Sequence, residues 1–160
     1  MSFSTADLMD AHADAQSCDL QFRSFGLAVR FHGAIRTVRC RNDNALVKRL
    51  LGARGEGSVL VVDGGGSLHN ALVGDLLAAA ALANGWTGIV VNGAIRDCAA
   101  IDALWIGVKA LGTNPRRGAK TGAGEVDVPV EFGGVVFAPG SCLYADQDGI
   151  LVSPRPLLNR

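Results

Sequence analysis

Two stretches of unbroken apolar residues organise this chain. Ser58 to Val62 and Gly88 to Val91 carry no charged position, and a run without alternation marks a strand buried on both faces, as in a parallel sheet. Between them, beyond the glycines at 64–66, a helical segment runs to a natural stop at Asn84-Gly85. After Gly88 to Val91 the pattern predicts a helix over Cys98 to Trp105 and a short strand over Gly107 to Leu111. The centre of the chain therefore reads as a βαβαβ unit.

The flanks differ. Ser4 or Thr5 can cap a short opening helix, with Asp7 in its first turn. Leu27, Val29 and Phe31 alternate with polar positions as in a half-buried strand, His32-Gly33 suggests a turn, and Ile35 to Cys40 a second β segment. Asn42-Asp43-Asn44 marks a helix start, with an apolar face from Ala45 to Leu51 that stops near Gly52. Gly112 to Gly124 is a long basic, glycine-rich loop of the size usually kept for function. The tail reads as short strands over Val126 to Phe132, Val135 to Ala138, Ser141 to Ala145 and Ile150 to Ser153. With no repeat and no low-complexity segment, residues 1–160 are expected to form a single domain.

Composition adds limits. Hydrophobic residues are 49% and charged residues 19%, as in a chain with a packed core. Lys+Arg and Asp+Glu are 15 each, so no global charge steers the protein to nucleic acid or membrane. The one basic cluster, Arg116-Arg117 with Lys120, reads as a solvated loop first and an anion or partner contact second. The N-terminus has no signal-peptide pattern, and the apolar stretch Leu76 to Ala83 is too short to span a bilayer. Cys18, Cys40, Cys98 and Cys142 show no metal-type spacing. They read as reduced thiols in a cytoplasmic protein.

The candidate chemistry lies at strand ends, where open α/β sheets place their ligands. Gly74-Asp75 is followed, after twenty residues, by Arg96-Asp97. The Gly64-Gly65-Gly66 cluster matches neither a dinucleotide fingerprint, since position 69 is His69, nor a P-loop. It is either a tight turn or a set of exposed backbone N–H groups for an anion. Gly74 begins a helix, admits a ligand close to the backbone, or relieves a helix crossing. Arg96-Asp97 is either a surface ion pair with Asp97 capping the next helix, or a metal ligand beside an oxyanion-binding arginine. His12, His32 and His69 have no metal-protease spacing, and Cys98 has no histidine nearby in sequence to activate it.

These residues, with Val61-Val62-Asp63-Gly64-Gly65-Gly66-Ser67, Ala110-Leu111-Gly112-Thr113-Asn114-Pro115 and Leu143-Tyr144-Ala145-Asp146, resemble the regulator of ribonuclease activity A family. That family also contains the 4-hydroxy-4-methyl-2-oxoglutarate aldolases, and the resemblance runs from Asp7 to about Ser153. It implies a swivelling β/β/α-type α/β/α domain that assembles into ring-shaped homotrimers or dimers of trimers, with sites between subunits. The aldolase members carry an acid, twenty residues and Arg-Asp. By resemblance Asp97 holds a divalent cation, Mg²⁺ or Mn²⁺, and Arg96 binds the keto or enolate oxygen of a small 2-oxo acid. Asp75 orients a metal-linked water for proton transfer, and the backbone of Gly74, Asp75, Leu76 and Leu77 holds the substrate carboxylate. Regulatory members often break the Arg-Asp pair, so its presence favours catalysis. The alternative is a non-catalytic protein that binds and inhibits a ribonuclease E-type endonuclease. Some members were once labelled demethylmenaquinone methyltransferases, a label without a cofactor motif here. Larger aldolases supply a carboxylate across the subunit boundary from an extension, whereas Ser153 to Arg160 contains no acid. The remaining metal ligands are left to water or a neighbouring subunit.

Overall fold

A computed structural model describes residues 2–158. Asn159 and Arg160, the last residues of the acid-free tail, lie outside the described residues. Four strands form a parallel core: β3 (Phe31–Arg39), β4 (Val59–Asp63), β6 (Gly88–Ile95) and β7 (Gly107–Thr113), paired in that order. The crossovers carry α2 (Ala45–Leu51), α3 (Asp75–Ala83) and α4 (Cys98–Ile101). Antiparallel strands extend both edges. β11 (Cys142–Asp146) pairs with β3, and β12 (Gly149–Ser153) with β11; β1 (Gln16–Ser17) closes that side, and β2 (Arg23–Phe25) lies on β7. The result is a curled mixed sheet with few helices, the α/β class read from the sequence.

The unbroken apolar strands are buried on both faces, as their pattern requires. Leu60, Val62, Ile89 and Val91 face the helices, against Val47, Leu51, Ala78 and Ala81. Val59, Val61 and Val90 face the other way, onto Phe132, Val135 and Phe137. Those three come from a hairpin of β9 (Val130–Phe132) and β10 (Val135–Phe137). The opening helix α1 (Thr5–Ala11) is capped by Ser4, whose hydroxyl accepts from the Asp7 N–H. Thr5 instead donates through N–H and hydroxyl to the buried Asp146 carboxylate, at 2.8 and 2.6 Å. No helix among the described residues is long and apolar enough to cross a membrane.

Several boundaries differ from the sequence expectation. No turn forms at His32-Gly33, and β3 runs through it, while Leu27 and Val29 precede the strand. Gly33 is there because a Cβ would collide with the Gly57 carbonyl. Phe31 has a similar cause: Gly88 and Gly107 are register partners, and a Cβ on either would enter its ring. The strand expected over Val126 to Phe132 is split into β8 (Glu125–Val126) and β9, because Asp127 adopts φ 56° and is gripped by Arg36 through two hydrogen bonds of 2.8 and 3.0 Å. The helix expected over Cys98 to Trp105 ends at Ile101. A short strand, β5 (Ala71–Val73), lies between the glycine turn and α3 where the sequence reading had only helix.

Candidate active site

The strand that sequence reasoning missed is what closes the twenty-residue gap. β5 pairs in parallel with the end of β6, Val73 opposite Ile95, and the Arg96 N–H donates to the Val73 carbonyl at 3.0 Å. The residues that follow each strand, Gly74-Asp75 and Arg96-Asp97, therefore emerge side by side. Gly74 is the extended N-cap of α3, with no side chain to cap it.

Asp97 takes over that role from across the junction. Its backbone is left-handed, φ 57° and ψ 37°, and its side chain makes no cap bond to its own helix α4. The Oδ2 atom instead accepts from the Asp75 N–H at 3.2 Å, where a carboxylate meets the positive end of α3. A non-glycine residue in this conformation costs on the order of 1 kcal/mol or more, and such strain clusters at functional sites. Gly74 makes the approach feasible: a Cβ there would lie 2.7 Å from Asp97 Oδ2 and 3.6 Å from Arg96 Nε. Of the sequence alternatives for Gly74, the helix start holds, and the group that comes close to its backbone is the Asp97 carboxylate of the same chain.

Arg96 Nε lies 3.9 Å from Asp97 Oδ2, and Nη1 donates to the Pro115 carbonyl at 3.3 Å. Both side chains are about two-fifths exposed, so the guanidinium is held and still open to a ligand. Asp75 Oδ1 accepts from the Leu76 N–H at 2.9 Å. Of the backbone donors expected to hold a substrate carboxylate, those of Asp75 and Leu76 thus already meet carboxylate oxygens. The Leu77 N–H has no acceptor among the described residues.

Asp75, Arg96 and Asp97 line one cleft with Gly74, Leu76 and Leu77. Asn44 and Lys48 of the α2 region and Arg117 and Lys120 of the long loop complete it. Asn44 donates to the Leu72 carbonyl at 3.3 Å, while its Oδ1 is buried with no partner among the described residues. An orphaned buried acceptor costs about 1–3 kcal/mol unless a donor reaches it. Four cationic side chains against two carboxylates make the cleft electropositive. The basic loop is split by the fold: Arg117 and Lys120 face the cleft, whereas Arg116 turns to the His69 ring and carbonyl. Sequence reasoning missed Asn44 and Lys48, and only the basic character of the loop pointed to Arg117 and Lys120.

Asp43, read from sequence as part of a helix start, ties that loop down. It is 3% exposed. Its carboxylate accepts from the Thr121 hydroxyl, from the N–H groups of Thr121 at 2.7 Å and Gly122 at 3.3 Å, and from Ala45 at 3.1 Å. The Thr121 hydroxyl chiefly, helped by these N–H donors and opposed by burial, holds the Asp43 carboxyl below the usual carboxylate range.

No group of three or more His, Cys, Asp or Glu gathers as metal ligands among the described residues. The donor set at this corner is two carboxylates open to solvent, which suits a hard cation that keeps several waters, such as Mg²⁺ or Mn²⁺. The glycine cluster offers no anion site. The N–H groups of Gly64 and Gly66 donate to the Asn92 carbonyl and that of Gly65 to Asp63 Oδ1, so the turn is the tight-turn alternative. Cys98 is partly buried, and burial pushes the Cys40 thiol up to about 12.

Comparison with known proteins agrees with this architecture. An RraA-like family model, described as Aldolase/RraA, matches residues 5–152. A Geobacillus kaustophilus structure named S-adenosylmethionine:2-dimethylmenaquinone methyltransferase is 46% identical, with TM-score 0.96 over 99% of both chains. The RNA-processing inhibitor RraA from Thermus thermophilus is 47% identical, with TM-score 0.95 over 98% of this chain and 95% of that one. RraAS2 of Streptomyces coelicolor, described as an unusual member of the RNase ES inhibitor RraA family, is 31% identical, with TM-score 0.78 over 95% of this chain and 80% of its own. The chain belongs to the RraA-like family.

Proposed function

We propose that this protein is a divalent-metal-dependent carbon–carbon lyase. Its reaction is cleavage of 4-hydroxy-4-methyl-2-oxoglutarate to two pyruvates, with oxaloacetate decarboxylation as a side activity of the same site. The observation that carries this reading is the β5–β6 pairing, which delivers Asp75, Arg96 and Asp97 to one edge of an electropositive cleft. Asp97, with Asp75 beside it, would hold Mg²⁺ or Mn²⁺. When bound, the cation acts as a Lewis acid toward the 2-oxo group.

The chain's own residues do the rest. The guanidinium of Arg96 takes the 2-oxo oxygen, where negative charge develops as the C3–C4 bond breaks. A preorganised donor at that point is the usual large electrostatic contribution. In the aldol substrate the C4 hydroxyl gives its proton to the water held at Asp75 and C4 leaves as the carbonyl of one pyruvate; in oxaloacetate C4 leaves as carbon dioxide. Both routes leave the same pyruvate enolate. Asp75 holds the water that returns a proton to C3, a role for which a factor of about 10²–10⁴ is typical. Lys48, Arg117 and Lys120 suit a substrate with a second carboxylate, which both compounds have. The reading includes a ring-shaped homotrimer with sites between subunits, supported by the two most exposed of the large apolar side chains on the surface, Leu76 at 80% exposure and Trp105 at 71%.

The test is pyruvate release from each compound with Mg²⁺ or Mn²⁺ and with chelator. Metal-dependent turnover that disappears in Asp97→Ala supports the lyase. Absence of turnover, or full activity in Asp97→Ala, overturns it.

A second reading rests on the names of two relatives, an RNA-processing inhibitor and an RNase ES inhibitor family member. On that reading this chain also binds a ribonuclease E-type endonuclease through its outer surface. A pull-down with such an enzyme showing no association would remove it. The methyltransferase name of another relative gains no support from the glycine turn, whose N–H groups are spent within the fold.

A further inference from the structure

We propose that Asp43 is a positioning residue that acts through Lys120, fixing the loop so that the ammonium group takes the distal carboxylate of the substrate. This rests on the lyase reading of the cleft, but the claim concerns a residue outside the reacting set.

Asp43 would be a plain helix cap if its bonds went to α2. One does, from the Ala45 N–H; the other three come from the loop, at Thr121 and Gly122. The two ends of the loop segment are held differently. Around Arg117 the anchors are independent of Asp43: the Asn70 side chain donates to the Arg117 carbonyl at 2.9 Å and the Ala71 N–H to the Arg116 carbonyl at 2.7 Å. Beyond Ala119, which exchanges backbone bonds with Asn42 and Asn44, the Asp43 carboxylate is the holder. Lys120 lies between these two grips. The chain just after it passes through Gly122 and Gly124, both at positive φ, a sequence with little stiffness of its own.

A buried carboxylate with four donors is also hard to replace. Charge-assisted bonds are about twice as strong as neutral ones, so an amide of the same shape at position 43 weakens the grip. The consequence falls on Lys120, and through it on ligands long enough to reach that side chain. Pyruvate, with one carboxylate, needs only the Arg96 end. 2-Oxoglutarate has the proposed substrate's five-carbon chain and both carboxylates, without the 4-methyl and without the 4-hydroxyl that permits cleavage, so it reports binding at both ends.

The experiment is calorimetric titration of 2-oxoglutarate and of pyruvate, each with Mg²⁺, into the wild type, Asp43→Asn, Lys120→Ala, the double variant, Thr121→Val and Thr121→Ser. Asp43→Asn and Thr121→Val are expected to weaken 2-oxoglutarate binding roughly tenfold, the scale of one charge-assisted bond, with pyruvate changed less than about twofold. Thr121→Ser, which keeps the hydroxyl, should bind as the wild type. The double variant should match Lys120→Ala, since nothing remains for Asp43 to position. Equal weakening of both ligands, no weakening, additive loss in the double variant, or no preference of the wild type for 2-oxoglutarate would each overturn the proposal. The Thr121 pair decides the matter if Asp43→Asn does not fold. The titrations stand apart from turnover: a wild type that releases no pyruvate sinks the lyase reading and leaves these outcomes to judge Asp43.

Discussion

Gly74→Ala isolates the close approach on which the candidate site depends. The backbone at Gly74, φ −123° and ψ −169°, is ordinary extended chain that alanine adopts freely, so no strain arises there. The whole effect comes from the new methyl group, 2.7 Å from Asp97 Oδ2. An ordinary carbon–oxygen contact requires about half an ångström or more beyond that, and dispersion optima lie near 3.5–4.0 Å. Asp97 must therefore retreat from the Asp75 N–H, already at 3.2 Å, and that charge-assisted bond is lost. The loss is worth about 1.5–3 kcal/mol, offset by about 0.4–1 kcal/mol from the stiffer unfolded chain. Net destabilisation should be about 1–2 kcal/mol. Activity should fall further, since a misplacement near 1 Å costs roughly 10²-fold in rate. The assay is initial-rate pyruvate release from oxaloacetate at saturating Mg²⁺, beside a denaturant melt of the same variant. A kcat within twofold of wild type would refute the argument that Asp97 sits where the chemistry needs it.

Three further outcomes follow from the packing. Burial raises the Asp146 carboxyl pKa, but the Thr5 hydroxyl and the N–H groups of Thr5, Asp148 and Gly149 outweigh it and hold the value below the usual range. A folded pKa below the unfolded one gives stability that is complete above about pH 4 and is lost as pH falls through the folded value; urea melts of Asp146→Asn should show a loss of about 1–3 kcal/mol at pH 7 that shrinks below pH 4. Cys40, with its thiol pushed up to about 12, is a thiolate in only about one molecule in 10⁴ at pH 8, so a disulfide reagent should leave it unmodified in the native protein, as peptide mapping can check. Gly107→Ala drives a methyl into the Phe31 ring and the Ala28 carbonyl. Overpacking of this kind costs about 1–3 kcal/mol, and an unchanged melting midpoint would show that the ring has room.

The parts of the fold that announce themselves in the sequence are those whose cause is local. Leu60 to Val62 and Ile89 to Val91 read as doubly buried strands because burial on both faces leaves no polar position. Gly33 misleads because its reason lies in the Gly57 carbonyl, distant in the chain. The break at Asp127 depends on Arg36, ninety-one positions away. The same division holds at the site. The Asp75 and Arg96-Asp97 spacing is visible in the sequence, but the strand Ala71–Val73 that unites its halves is three residues long and carries no signature. Asp97 looked like a cap for the helix after it and instead meets the helix before it. Asp43 carries an ordinary helix-start pattern, and only the return of Thr121 and Gly122 shows its second task.

Arg96 and Asp97, brought beside Asp75, are proposed to form the site of a metal-dependent lyase. The most direct test is the rate of pyruvate release from 4-hydroxy-4-methyl-2-oxoglutarate with Mg²⁺, measured on the wild type and on Arg96→Ala at matched folding. The expected result is turnover in the wild type that chelator abolishes, and a loss of at least about 10²-fold in kcat in Arg96→Ala. Equal turnover in the two proteins, or none in the wild type with either Mg²⁺ or Mn²⁺, would contradict it.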